Sequence, residues 1–210
     1  MTSRSLKTFA PLFLYLLWAV LRFSLMLKIR RIVFQGFELG AAERILFSHL
    51  LIVLEAAILV LPYLFLKKLN WIDGFHVLGN TRQSVRRGTL YGLLLFVTVV
   101  PVALYFGMRF SFQFSLPGVV GNLFSNGAEE VIYRGILFSA ALSLFRKPWL
   151  AVAASAFAFG FGHWDFPYLF QAYIVAVGFV LGWLYLRTKS LLAPYIAHMI
   201  ADILADSFFH

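Results

Sequence analysis

The sequence predicts an all-α protein, a polytopic transmembrane helix bundle of about seven spans, on three observations. Hydrophobic residues fill 61% of the 210 positions and charged residues 13%, against roughly half apolar in a soluble domain. The apolar runs reach span length, about 20 residues for a helix crossing roughly 30 Å of hydrocarbon. They are uniformly apolar instead of alternating, which excludes the strands of a membrane barrel and leaves helices as the spanning structure.

Seven segments follow in order, at about 9–27, 45–66, 89–108, 119–145, 149–165, 167–187 and 190–209. The first follows Arg4 and Lys7, lacks a small-residue cleavage site and carries Arg22 near its end, so a retained anchor is expected rather than a signal peptide. Segments two and three are joined by KKLNWIDGFHVLGNTRQSVRR, whose Gly, Asn and basic residues mark a loop. That loop is the one expected boundary, with N-terminal membrane segments and the basic loop over 1–88 and a bundle carrying most of the buried polar groups over 89–210. Trp71, Trp149 and Trp164 stand near segment ends, where interfacial anchors belong.

Cysteine is absent, so disulfides and thiolate ligands are excluded and a metal would need His and carboxylates. The net charge of +9 does not point to nucleic acid, because Lys and Arg sit mainly between apolar runs, where membrane topology explains them. With the N-terminus inside, Lys67, Lys68, Arg82, Arg86, Arg87, Arg146, Lys147, Arg187 and Lys189 join Arg4 and Lys7 on the cytoplasmic side, and the last three external connections hold only Arg109. The expected orientation is therefore N-terminus in and C-terminus out, and the expected location is a cytoplasmic membrane of prokaryotic type. Lys28, Arg30, Arg31 and Arg44 in the first external connection break the rule, unless segment one or its neighbour lies in the interface.

Ionisable side chains inside such segments are costly, so they pair, face a water-filled cavity or do chemistry. In SNGAEEVIYRGIL, Glu130 and Arg134 are four apart on one helix face and can pair; Glu129, rotated roughly 100°, points elsewhere. FAFGFGHW puts Phe159 and His163 on one face, with Gly160 and Gly162 allowing a neighbouring helix to come close. AHMIAD puts His198 and Asp202 on one face. At about 1.5 Å per residue from the presumed cytoplasmic ends, Glu129 lies roughly 24 Å up, His163 about 21 Å, Asp202 about 18 Å and His198 about 12 Å, in one slab. Glu55 and Arg22 are expected to neutralise each other across adjacent helices, or Glu55 to be protonated. His49 is expected at the interface, Asp165 in the turn before Pro167, and His76 and His210 outside the spans.

Glu129-Glu130-x-x-x-Arg134, Phe159-x-x-x-His163 and His198-x-x-x-Asp202, in this order on three late helices, resemble the three-part pattern of the CAAX prenyl endopeptidase and bacteriocin-processing (CPBP, or Abi) family of intramembrane proteases. The resemblance covers roughly residues 119–205, and many relatives have Asn where this chain has Asp202. It implies an intramembrane endopeptidase with its active site on the late helices, a membrane-associated peptide or protein as substrate, and a metal-independent glutamate mechanism without cofactor. The implied catalytic residues are Glu129, His163, His198 and Asp202, supported by Glu130, Arg134 and Phe159.

Peptide hydrolysis needs an activated water, a group that stabilises the developing oxyanion, and a proton donor for the leaving amine. Glu129 is the expected base, because Glu130 is committed to Arg134 and a carboxylate withdrawn from water is a stronger base. His163 would share the water and shuttle the proton; His198, with Asp202 assisting or only orienting it, would stabilise the oxyanion and leaving group. Three alternatives stand beside this. Glu129, His163 and His198 could form a two-His, one-carboxylate zinc site, although HExxH is missing and a separate base would be required. Ser125 or Ser139 as nucleophile has no assignable base. A proton-coupled transporter or an immunity or scaffold bundle would bury the same residue types, but transport usually brings inverted repeats, and none is found.

Overall fold

The computed structural model describes residues 40–70, 75–163 and 166–209, with positions 28, 29, 32 and 36. These residues form helices α1 (Ala41–Lys68), α2 (Thr81–Tyr105), α3 (Leu116–Glu130), α4 (Phe138–Phe145), α5 (Pro148–Phe161), α6 (Tyr168–Thr188) and α7 (Leu192–Phe208), with a π-helical segment, Val131–Leu137, joining α3 to α4. Segments two to seven of the sequence reading fall on these helices. The first segment, Arg22 included, lies outside the described residues, as do the Glu55 side chain, Asp165, Trp71, Trp164 and His210. Among the described residues the only β pairing is an isolated antiparallel bridge between Phe110 and Phe209.

Three stretches are long and apolar enough to cross a membrane: His49–Lys68, Thr81–Tyr105 and Tyr168–Thr188. Their outward faces carry Leu61, Phe65, Leu90, Leu93, Leu94 and Val97, all exposed. A soluble protein would not leave contiguous apolar surface of this kind uncovered, whereas lipid covers it without cost. Helix starts are set locally: Asn80 accepts from the Gln83 N–H at 3.0 Å to cap α2, and Ser115 accepts from the Gly118 N–H at 3.2 Å to cap α3. The loop after α1 folds back onto the start of α7, where the carbonyls of His76 and Val77 accept from the N–H groups of Leu191 and Leu192.

Two packing features position the polar residues. The helix beginning at Leu116 widens at Val131, so that Arg134 sits inside a π-helical turn where an uninterrupted α-helix was expected. The Ser155 hydroxyl of α5 donates to the Tyr133 carbonyl at 2.8 Å, which satisfies a buried acceptor in the widened turn; such insertions recur at functional sites.

The second feature is the contact of α2 with α7. Gly88 and Gly92, one turn apart, bring the α2 backbone against α7 so closely that a Cβ at Gly88 would lie 2.7 Å from the Ala193 carbonyl oxygen, and one at Gly92 would lie 2.8 Å from that of Ala197. Because Ala197 adjoins His198, this approach sets the depth of the polar face of α7. Gly92→Leu is therefore expected to lower the unfolding midpoint in detergent by the equivalent of about 1–3 kcal/mol, the usual overpacking cost, and to reduce activity with it. Gly127→Ala is the control: its Cβ meets only the Tyr195 ring, at 3.5 Å, and the midpoint should hold or rise slightly. Equal midpoints for native protein and Gly92→Leu would show that the close approach does not hold α7.

Candidate active site

Helices α3 and α7 run antiparallel and meet through successive polar rungs about one turn apart. At the first, the Asn122 amide donates to Asp206 Oδ2 at 2.8 Å; at the second, the Asn126 amide donates to Asp202 Oδ2 at 3.0 Å. At the third, His198 Nδ1 lies 2.9 Å from Glu130 Oε1, and its Nε2 lies 3.3 Å from Asp202 Oδ2 and 3.8 Å from Glu129 Oε2. A carboxylate oxygen only accepts, so Nδ1 of His198 carries the proton that faces Glu130.

Glu130 Oε1 also accepts from Arg134 Nη1 at 2.9 Å, and the two side chains are 1% and 0% exposed. The expected i,i+4 pair is present across the junction into the π turn. One oxygen thus serves two donors on two helices. Glu130 Oε2 and Arg134 Nε and Nη2 have no hydrogen-bond partner among the described residues. What covers the guanidinium instead is the Phe159 ring, 4.3 Å from Arg134 Cζ to its centroid, a geometry in which the aromatic face attracts the cation.

Phe159 is the hub of the aromatic contacts. Its ring meets those of His163, His198 and Tyr133 edge to face at 4.9, 5.4 and 5.2 Å, so one buried side chain fixes both imidazoles against the Arg134 guanidinium. His163, just past the end of α5, holds its Nδ1 2.8 Å from the Phe159 carbonyl. The carbonyl only accepts, so Nδ1 donates and the Nε2 of a neutral ring is left as an acceptor. Gly160 lets α6 approach at this level, as the sequence suggested, because a Cβ there would collide with Val175.

Glu129, Asn122, Asn126, Phe159, His163, His198 and Asp202 all line one cavity of about 420 Å³. Glu130 and Arg134 do not line it; they are sealed behind His198 and Phe159. The two adjacent glutamates therefore point to different sides, as the helix period requires, yet each approaches a different nitrogen of the same imidazole. Much of the remaining wall is apolar, from Leu95 and Val99 on α2, Phe170, Ile174 and Val177 on α6, and Phe166.

Several lining residues were not singled out by the motifs. Asn122, Asn126 and Glu129 follow an i, i+4, i+7 pattern, and His198, Asp202 and Asp206 an i, i+4, i+8 pattern, so the periodicity was there to find. Asn in an apolar helix carries no charge to draw attention. His49, at the start of the candidate span that runs to Lys68, also lines this cavity, and a Cβ at Gly121 would collide with its ring. Ser125 also lines the cavity but donates to Asn126 Oδ1 at 3.4 Å, while Ser139 is buried away from it. Among the described residues no three His, Asp or Glu side chains are grouped to hold a metal ion, Glu129, His163 and His198 included.

Residues 111–204 match the family described as type II CAAX prenyl endopeptidase, Rce1-like. No curated protein and no solved structure matches the chain. The matched stretch holds all three motifs, from Glu129 to Asp202, together with the helices that present them. Over residues 111–204 this membrane protein is similar to the Rce1-like type II CAAX prenyl endopeptidases.

Proposed function

We propose that the protein is an intramembrane endopeptidase that hydrolyses a peptide bond of a membrane-associated substrate with a water activated by Glu129 and His163, without a metal. The observation that carries this reading is the division of labour across Phe159: Glu129, His163, His198 and Asp202 face the cavity, while Glu130 and Arg134 lie sealed behind it. A structural ion network would have no reason to leave its base-capable members on the cavity side. Glu129 takes a proton from the water as it attacks the carbonyl carbon. His163, whose Nε2 is left as the acceptor, shares that water and returns the proton to the leaving amine. His198, held by Glu130 and Asp202, supplies positive charge beside the developing oxyanion. The apolar wall from α2 and α6 suits a lipid-modified or hydrophobic segment next to the cleaved bond.

The test uses the full chain in proteoliposomes with a quenched-fluorescent peptide ending in a farnesylated Cys-aliphatic-aliphatic-X tail. Cleavage is expected from the native protein and is expected to survive exhaustive chelation. Elemental analysis of the same preparation is expected to find no stoichiometric zinc. Stoichiometric zinc whose removal and return switch cleavage off and on would overturn the metal-free mechanism, since a true zinc site binds through deprotonated ligands and reloads reversibly. Absence of cleavage by native protein would overturn the assignment of this substrate class.

A further inference from the structure

The neutral donors on the cavity wall leave one group unexplained. Peptide hydrolysis places negative charge on the carbonyl oxygen, in a cavity that already holds the carboxylates of Glu129, Asp202 and Asp206. Of the donors nearby, Arg134 does not reach the cavity, His198 Nδ1–H is committed to Glu130, and His198 Nε2 lies between Asp202 and Glu129. Tyr173 donates to the Leu95 carbonyl at 3.2 Å, and Ser125 donates to Asn126.

Asn126 differs from these. It sits on the same face of α3 as Glu129, three residues earlier and so one turn away, and its side chain is buried on the cavity wall. Its amide is fixed at both ends: Oδ1 accepts from Ser125 and one hydrogen of Nδ2 goes to Asp202 Oδ2. An amide nitrogen carries two hydrogens, and the second has no acceptor among the described residues. The Asp202 carboxylate accepts only, so the amide cannot be turned the other way round. This is a preorganised neutral donor, fixed before the substrate arrives, and neutral donors so fixed are the groups that stabilise an oxyanion without reorganising.

On the strength of the proposed hydrolytic reading, we infer that Asn126 is a catalytic residue that donates its second Nδ2–H to the oxygen of the scissile carbonyl. Asp202 then acts as a positioning residue for that amide as well as for His198. In the step itself, Glu129 takes a proton from water, the water oxygen bonds to the carbonyl carbon, and the C=O π pair moves onto oxygen, where Asn126 receives the charge. Collapse re-forms the C=O bond and breaks the C–N bond, and the amine nitrogen leaves with the proton returned through His163. Asn122 offers the same chemistry one further turn from Glu129, beyond reach of the same oxygen.

The test compares native protein, Asn126→Ala and Asn126→Leu, the last keeping the side-chain volume so that packing survives. All are assayed in proteoliposomes on the farnesylated reporter peptide, with kcat and KM resolved. Each is also titrated with a peptide aldehyde carrying the residues before the cleaved bond and with the matched alcohol. Only the aldehyde, once hydrated, carries both oxygens of the tetrahedral intermediate, one of them at the place of the carbonyl oxygen. Loss of one oxyanion donor is expected to lower kcat roughly 10²- to 10³-fold with little change in KM. The preference for aldehyde over alcohol should fall by a comparable factor, which a purely structural role would leave intact. Undiminished kcat in either compact variant, or equal weakening of aldehyde and alcohol, overturns the assignment while native cleavage still stands. Failure of native protein to cleave the peptide would remove the hydrolytic reading itself, and this inference with it.

Discussion

Glu129→Gln is expected to lower kcat/KM by roughly 10²- to 10⁴-fold, the span that general-base catalysis contributes, while the protein inserts, elutes as a compact species and unfolds at the native midpoint. The geometry separates the two effects. Glu129 faces the cavity, and its nearest ionic neighbour, His198 Nε2, is 3.8 Å away, too far for a direct hydrogen bond. Gln keeps the size and an acceptor oxygen and loses only the negative charge, so no buried partner is orphaned. Stability should stay within about 1 kcal/mol, as for substitutions that break no buried pair. The measurement is reporter-peptide cleavage by purified variant in proteoliposomes, with an unfolding curve on the same sample. Full activity in well-folded Glu129→Gln would end its assignment as the base. Comparing the protein termini of membranes that hold the native protein or the variant would then reveal the natural substrate as a terminus made only by the native protein.

How much of this site was legible in the sequence depended on whether a contact lies within one helix. Glu130 with Arg134, Phe159 with His163, and His198 with Asp202 are all four-residue pairs, and the 3.6-residue period alone brings each pair to one face. Contacts between helices were another matter. The pairing of Glu130 with His198 depends on the depth at which α7 sits against α3, and that depth is held in part by Gly88 and Gly92, which read as ordinary glycines in an apolar run. Asn126 was invisible as a partner of Asp202 for the same reason. The π turn gave no periodic signature, since it adds no polar residue and its compensating donor, Ser155, lies on α5. That His49 also reaches the cavity was hidden for the same reason, since its place there depends on the missing side chain at Gly121, on another helix.

The largest loss of stability is expected from Glu130→Gln, and its physics differs from that of its neighbour. Glu130 Oε1 receives both Arg134 Nη1 and His198 Nδ1, each at 2.9 Å, with the glutamate 1% and the arginine 0% exposed. Gln preserves an acceptor oxygen of nearly the same shape, yet the guanidinium it faces becomes an uncompensated buried cation, since the rings of Phe159 and Tyr133 that also face it carry no charge. Breaking such a pair from one side commonly costs about 3–5 kcal/mol, so the variant should unfold at markedly lower temperature or denaturant in detergent. Removing the cation too should reverse most of this: a Glu130→Gln, Arg134→Met double substitution replaces a buried pair by groups that need no counter-charge, an exchange that is often neutral or stabilising. Activity should not return with stability, because the His198 imidazole has still lost the anion that orients its Nδ1–H. The experiment is a four-protein cycle of native, two single variants and the double, with unfolding curves and kcat/KM measured on each. A Glu130→Gln variant as stable as native would mean the pair carries no structural load. A double variant that recovers catalysis along with stability would show that Glu130 serves Arg134 alone and has no part in holding His198.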